Sequence, residues 1–317
     1  MAVLTTFFTV VFLPHGFPDS VSKDYIPYQI WDSIQAFASS ITGSICTHAI
    51  LKGAGVGDET ASPLAATITW LIKDGTSMIG RICFAWLQGT KLDSDCKKWS
   101  NMLITFFRLF ADVLNDIAMF LDLVSAYFQN HFTLIVCISG LCKSLVGVAG
   151  GSTRAALTQH QARKNNMADV SAKDGSQETL VNLLALICSL FIVPIVAESF
   201  LLTWILYISM TIVHLTANYF AVKSVVMEIF NISRFKIYTR HYLSEGSASQ
   251  DFLSVAEVNQ KESLCPSFRP KRVTVILGSS FKDAIQRKRW KDIKELLEIY
   301  KTTDYILCVS KTSISKC

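Results

Sequence analysis

The chain has 317 residues, half of them hydrophobic and only 17% charged, with a mean hydropathy of +0.36. That apolar content exceeds what a single soluble core absorbs, so the excess must face something other than water. A net charge of +5 is too small to point to nucleic acid, and nine cysteines without a CxxC pair argue against a disulfide framework or a zinc site, leaving buried, reduced thiols at Cys46, Cys83, Cys137, Cys142 and Cys188.

Residues 1–13 are uncharged and apolar, but they lack a basic start. The following Pro14-His15-Gly16-Phe17-Pro18 is no small-residue cleavage site, so this end reads as a lead-in rather than a targeting segment. Breakers at Pro14, Gly16, Pro18 and Asp19 precede a predicted helix over 28–51 that is rich in small residues: Ala36, Ala38, Ser39, Ser40, Gly43 and Ser44. Small side chains let apolar helices approach closely. The glycine string 53–57 does not fit GxGxxG and follows no strand, so it reads as a turn into a helix over 63–89, with Ser62 or Thr60 near its cap and Pro63 in its first turn. A further helix over 103–128 carries Arg108, Asp112, Asp116 and Asp122. Arg81 is expected either to meet Asp112 or Asp116 between helices or to belong to a charged face in water.

The apolar run 132–142 is too short to span a membrane by itself and leads into a mildly basic polar loop, 143–178. Within it, Gly147-Val148-Ala149-Gly150-Gly151-Ser152-Thr153-Arg154 reads as a helix start. Gly150, Gly151, Ser152, Thr153 and Arg154 there form a candidate anion site of free N–H groups, two hydroxyls and a guanidinium; the competing reading is a bend for close helix packing. Between Glu178 and Lys223 the only formally charged side chain is Glu198, dividing two apolar runs, 179–197 and 199–222. The second would span about 36 Å as a helix, enough to cross a bilayer core of about 30 Å. Basic residues flank both runs, so the positive-inside tendency puts the flanks on the cytosolic side and Glu198 on the far side of a helical hairpin; Pro194 leaves a re-entrant first run open. Thr203, Tyr207, Thr211, His214 and Asn218 recur at intervals of three and four and form a polar stripe on one face. Such a stripe either bonds neighbouring helices, with Asn182 or Ser189 as partners, or lines a path for a solute.

Beyond residue 243 the composition turns polar, and 244–272 reads as a linker. Residues 273–317 then suggest an incomplete α/β element: strand 273–277, helix 282–300, strand 305–309. The expected fold is mainly α, a multi-helix membrane-associated bundle over 1–243 with that small C-terminal element. HExxH, GxSxG, Walker and kinase signatures are absent, so no catalytic residue, metal or cofactor is expected.

Several segments together resemble the root UV-B sensitive (RUS) family. They include Gly16-Phe17-Pro18-Asp19-Ser20-Val21, Trp70-Leu71-Ile72-Lys73-Asp74-Gly75 and Arg108-Leu109-Phe110-Ala111-Asp112. More specific are Val148-Ala149-Gly150-Gly151-Ser152-Thr153-Arg154-Ala155-Ala156-Leu157-Thr158, the stretch 166–179, and His214 with Ala217-Asn218-Tyr219. The resemblance runs over about residues 12–310. It departs at 100–107, where eight residues are added, and at a shorter C-terminal part. It implies no catalytic residues. It suggests a non-enzymatic role in small-molecule homeostasis or transport, around vitamin B6, with a lipid membrane and a phosphorylated small molecule as partners. The rival expectation is a membrane scaffold that holds a protein partner, including a related family member.

Overall fold

The computed structural model describes residues 10–56, 62–196, 198–228 and 252–262, with a few positions between 234 and 241 and residue 298. The predicted strands 273–277 and 305–309 and the helix 282–300 lie outside the described residues, apart from the single helical position at 298. Every named element among the described residues is helical: α1 (Tyr25–Gly53), α2 (Pro63–Ser125), a 3₁₀ turn (Gln129–His131), α3 (Phe132–Gln161), α4 (Met167–Val196), α5 (Phe200–Ser224) and α6 (Val255–Lys261). The chain divides into two units, Met1–Ser267 and Phe268–Cys317, and all six helices belong to the first.

Helix starts follow local chemistry. Ser62 caps α2 by accepting from the N–H of Ala65, with Pro63 in the first turn as expected. Ser199 caps α5 in the same way through Leu202. Two elements differ from the sequence expectation. The segment 143–178 is not a loop, because α3 runs on to Gln161 and α4 begins at Met167, leaving a connection of five residues turned by Asn165 at positive φ. Part of the stretch read as a linker is also a docked helix: Ser254 and Glu257 form a capping box at the start of α6. Asn259 holds α6 to the Met227 backbone, and Arg234 pairs with Glu262.

The two helices expected over 63–89 and 103–128 are joined in one long element, α2. A straight helix would place residues 69 and 118 about 70 Å apart. Yet Thr69 meets Thr133 at 3.3 Å, and Ser139 donates to the carbonyl of Ala118 at 2.9 Å. The two arms of α2 therefore double back and both lie along α3. Close approach there comes from Gly80, which faces Leu141 and Ser144, and from Gly140, which faces Ser77 and Lys73. In α1, by contrast, Ala38 is buried while Gly43 has open space around it.

Contacts fix the directions of the other helices. Gln29 meets Asp174 and Ser40 meets Asn182, so α1 runs parallel to α4; Trp31 stacks on Phe220 and Gln35 meets His214, so α5 runs antiparallel to α1. Helix α1 lies between α4 and α5, which scarcely touch each other. The expected hairpin is thus antiparallel but split by α1. Helix α4 continues through Pro194 to Val196. The core cluster gathers Ile41, Ile45 and Cys46 of α1, Met119 and Leu123 of α2, Ala185 of α4 and Tyr207 of α5.

Large apolar side chains cover the outside, among them Leu71, Ile79 and Trp86 on α2, Leu190 and Phe191 on α4, and Leu201 and Ile212 on α5. Only 11% of the most apolar window of α4 is buried, so its hydrophobicity serves an exterior rather than a core. Among the described residues, four helices, α1, α3 with its preceding turn, α4 and α5, are long and apolar enough to cross a membrane. The expectation of buried thiols holds for Cys46, whereas Cys137, Cys142 and Cys188 are half-buried and Cys83 is exposed; all five are free.

A Cβ at Gly53 would fall 2.5 Å from the Phe132 ring and 3.3 Å from the Ala126 backbone, whereas Gly150 has open space around it. Gly53→Ala is expected to destabilise by about 1–3 kcal/mol through overpacking. Gly150→Ala should be neutral or stabilise by up to about 1 kcal/mol. Thermal unfolding of both purified variants checks the contrast.

Candidate functional site

The polar stripe of α5 faces inward. Thr203, Tyr207, His214 and Asn218 are buried and Thr211 is half-buried. Its main partner is Asp116 on the second arm of α2. The His214 ring nitrogen Nδ1 lies 2.9 Å from that carboxylate, and the Tyr207 hydroxyl donates to the Asp116 carbonyl at 2.9 Å. On the other side of the imidazole, Gln35 of α1 sits 3.3 Å from Nε2. With Gln35 donating to Nε2, the ring proton resides on Nδ1, where Asp116 accepts it. Thr203 donates to the carbonyls of Val196 and Ser199 and so closes the turn between α4 and α5. The partners expected from sequence are engaged differently: Asn182 accepts from Ser40, and the Ser189 hydroxyl is buried with no hydrogen bond among the described residues. Arg81 is exposed, while Asp116 is taken by His214 and Asp122 by Lys143.

Gly150, Gly151, Ser152, Thr153 and Arg154 do not start a helix. They lie in the middle of α3, where backbone N–H groups are used by the preceding turn. Ser152 and Thr153 donate to the Ala149 carbonyl one turn back. Arg154 is clamped by two carboxylates of α4, 2.6 Å from Asp174 and 2.6 Å from Glu178, while Gln29 donates to Asp174 at 2.9 Å. The constellation therefore ties α3, α4 and α1 together. The donors on which the anion reading relied are already committed to protein acceptors.

A third polar knot was not singled out from sequence. Asp24, just before α1, is buried, and one of its oxygens receives the Val226 N–H at 2.7 Å and meets His160 Nε2 at 2.9 Å. Its other oxygen accepts from Ser22. Burial alone would raise this carboxyl, but the bonds from His160, Ser22 and Val226 outweigh it and hold Asp24 below the usual carboxylate range. Close by, residues 20–22 pair with 161–163: Ser22 N–H donates to the Gln161 carbonyl and Arg163 N–H to that of Ser20. Arg163 also grips Glu228 through two bonds of 2.7 and 2.9 Å, which lower the Glu228 carboxyl. Asp24 and His160 stand at the edges of apolar helices, and that isolation was the available signal. Among the described residues, no group of three or more His, Cys, Asp or Glu is arranged to hold a metal.

An apolar exterior around buried ionisable side chains defines the class: a helical bundle in which, among the described residues, four helices are long and apolar enough to cross a membrane. The chain belongs to the root UVB sensitive family. Residues 2–246 match the family model described as the vitamin B6 photo-protection and homoeostasis domain, and residues 251–317 match that of the root UVB sensitive protein C-terminal region. RUS family member 1 of Dictyostelium discoideum is 44% identical over 294 residues, which cover 91% of this chain and 53% of the relative. Protein root UVB sensitive 3 of Arabidopsis thaliana is 38% identical over 255 residues, covering 80% and 55%. The chain thus spans about half the length of the curated relatives it matches. No solved structure matches it.

Because the folded state holds Asp24 low, its contribution to stability is present above the ordinary carboxylate pKa of about 3.9 and is lost as pH falls through the lower folded value. Asp24→Asn is expected to destabilise by about 3 kcal/mol near neutral pH, since it removes one partner of a buried pair. Denaturant titrations of both proteins from neutral to acid pH should show the gap closing below about pH 4.

Proposed function

We propose that this chain is a multi-pass membrane protein that acts without catalysis in the homeostasis or transport of a small molecule, with the vitamin B6 group as the class to test. The observation that carries the reading is the Asp116–His214 pair, buried with Tyr207 and Gln35 inside a bundle whose outside is apolar. Ionisable groups in the interior of such a bundle are costly, and they recur where solutes or protons pass. The described residues also form a ladder along α1, with Asp24 bonded to the segment just after α5, Gln29 and Ser40 to α4, and Gln35 to α5. That ladder extends polar character from one end of the bundle toward its middle. The family model's description as a vitamin B6 homoeostasis domain supports the choice of solute class.

A second reading, a scaffold that holds a protein partner such as a related family member, is favoured by the outward apolar face of α2, where Leu64, Leu71, Ile79 and Trp86 are exposed. The two differ in what the interior does. If the bundle carries a solute, liposomes containing the purified chain take up labelled pyridoxal or pyridoxal phosphate faster than empty ones. Replacing His214 by Gln or Asp116 by Asn then lowers that uptake by about tenfold, equivalent to about 1.4 kcal/mol on the rate-limiting step, while the variants keep their helix content. Uptake no faster than in empty liposomes for every B6 form tested would remove the transport reading.

A further inference from the structure

At the end of the bundle away from Asp24, a cavity of about 260 Å³ opens between the end of α4, the start of α5 and the last turns of α1. From these walls we infer a binding site for a compact amphiphilic anion, a phosphate or carboxylate carried on a ring or short hydrocarbon. The site deepens the small-molecule reading above by naming a ligand class. Two cationic or cation-forming side chains, His48 and Lys52, stand one turn apart on the same face of α1 and both line the cavity. Its lining among the described residues contains no carboxylate. The remaining walls are mostly apolar, from Ile45, Leu123 and Val193, with Tyr127 and Thr203 also lining the cavity.

The position of Lys52 adds weight to this assignment. The basic side chains Arg163, Lys164 and Lys223 gather at the opposite end, near Asp24 and Val226, as the positive-inside tendency expects of a cytosolic face. His48 and Lys52 therefore sit at the end where that tendency disfavours cations, beside an apolar recess rather than on a general basic surface. The volume is just under the roughly 300 Å³ at which pockets for drug-sized molecules begin, so the ligand is small. An anionic head near His48 and Lys52 with an apolar body against Leu123 and Val193 satisfies both kinds of wall at once. A lipid phosphate and a soluble phosphate share that chemistry.

The test uses the full chain purified in detergent, with phenyl phosphate as the anionic probe and benzyl alcohol as its uncharged counterpart. Phenyl phosphate carries no aldehyde that could condense with Lys52. Calorimetric titration is expected to show phenyl phosphate binding at least about tenfold more tightly than benzyl alcohol, as expected for one charge-assisted hydrogen bond. Lys52→Ala and His48→Ala should each weaken phenyl phosphate by a similar factor, and Lys52→Arg should restore it. Lys52 is exposed, so its variants are expected to unfold at the wild-type temperature, and that is measured alongside. Repeating the titration in phosphatidylcholine nanodiscs with and without phosphatidic acid separates the sources: displacement by phosphatidic acid assigns the site to a lipid headgroup, and undiminished binding assigns it to a soluble anion. No phenyl phosphate binding, equal binding of benzyl alcohol, or an unchanged constant in folded Lys52→Ala overturns the inference. Binding is read without flux, so a failure of transport and a failure of this site remain distinct results.

Discussion

The carboxylate of Asp24 is the constraint on which the rest of this bundle depends. It accepts from Ser22 ahead of α1, meets His160 in the last turn of α3, and receives the backbone N–H of Val226 just after α5. Three stretches of chain far apart in sequence are thereby held at one point. Each brings a polar group that would be costly to bury without a partner, so the contacts stand or fall together. Around it, the pairing of residues 20–22 with 161–163 and the Arg163–Glu228 fork fix the same end. Once that end is closed, the parallel course of α1 beside α4 and its antiparallel course beside α5 follow.

The polarity of the molecule is reversed relative to a soluble bundle. Large apolar side chains lie outside, while Asp116, Asp122, Asp174 and His214 lie inside, each with a partner from another helix. Such pairs contribute less net stability than their short distances suggest, because removing charge from solvent offsets much of the attraction. Their larger effect is on register. A helix displaced by one turn would strand a buried carboxylate such as Asp122 or Asp174, whereas apolar side chains would find new neighbours at small cost. The Arg154–Asp174–Glu178 clamp does this for α3 against α4, and Lys143–Asp122 does it for the second arm of α2 against α3.

How much of this could be read in the sequence depended on whether the signal was local. The helices around 28–51, 63–89 and 199–222 followed from apolar runs, the Ser62–Pro63 start and the flanking charges, and the stripe from Thr203 to Asn218 followed from helical spacing alone. The glycine-rich run before Arg154 misled because glycine at a helix start and glycine inside a helix look alike in one sequence. Surrounding contacts decide between them, and here α3 runs through. Partner choice was the least legible feature. Asp116 was visible as one of several acids on the helix over 103–128, but its pairing with His214 rather than Arg81 depends on α2 doubling back, which no local pattern encodes.

The place of α1 between α4 and α5 imposes an order on biosynthesis. Helix α1 is translated before α4 and α5, yet the two helices that clasp it are complete only when residue 224 has been added, roughly 170 residues later. At a synthesis rate of about 5–20 residues per second, the wait is roughly ten to thirty seconds. During that interval the two arms of α2 can settle on α3 through near-neighbour contacts. Helix α1 carries Gln29, Gln35 and Ser40 without their final partners until α4 and α5 arrive. Helix α1 is thus locked in place well after it is made, and whatever shelters its polar face in the meantime, a translocation channel or a chaperone, becomes part of how this protein is made.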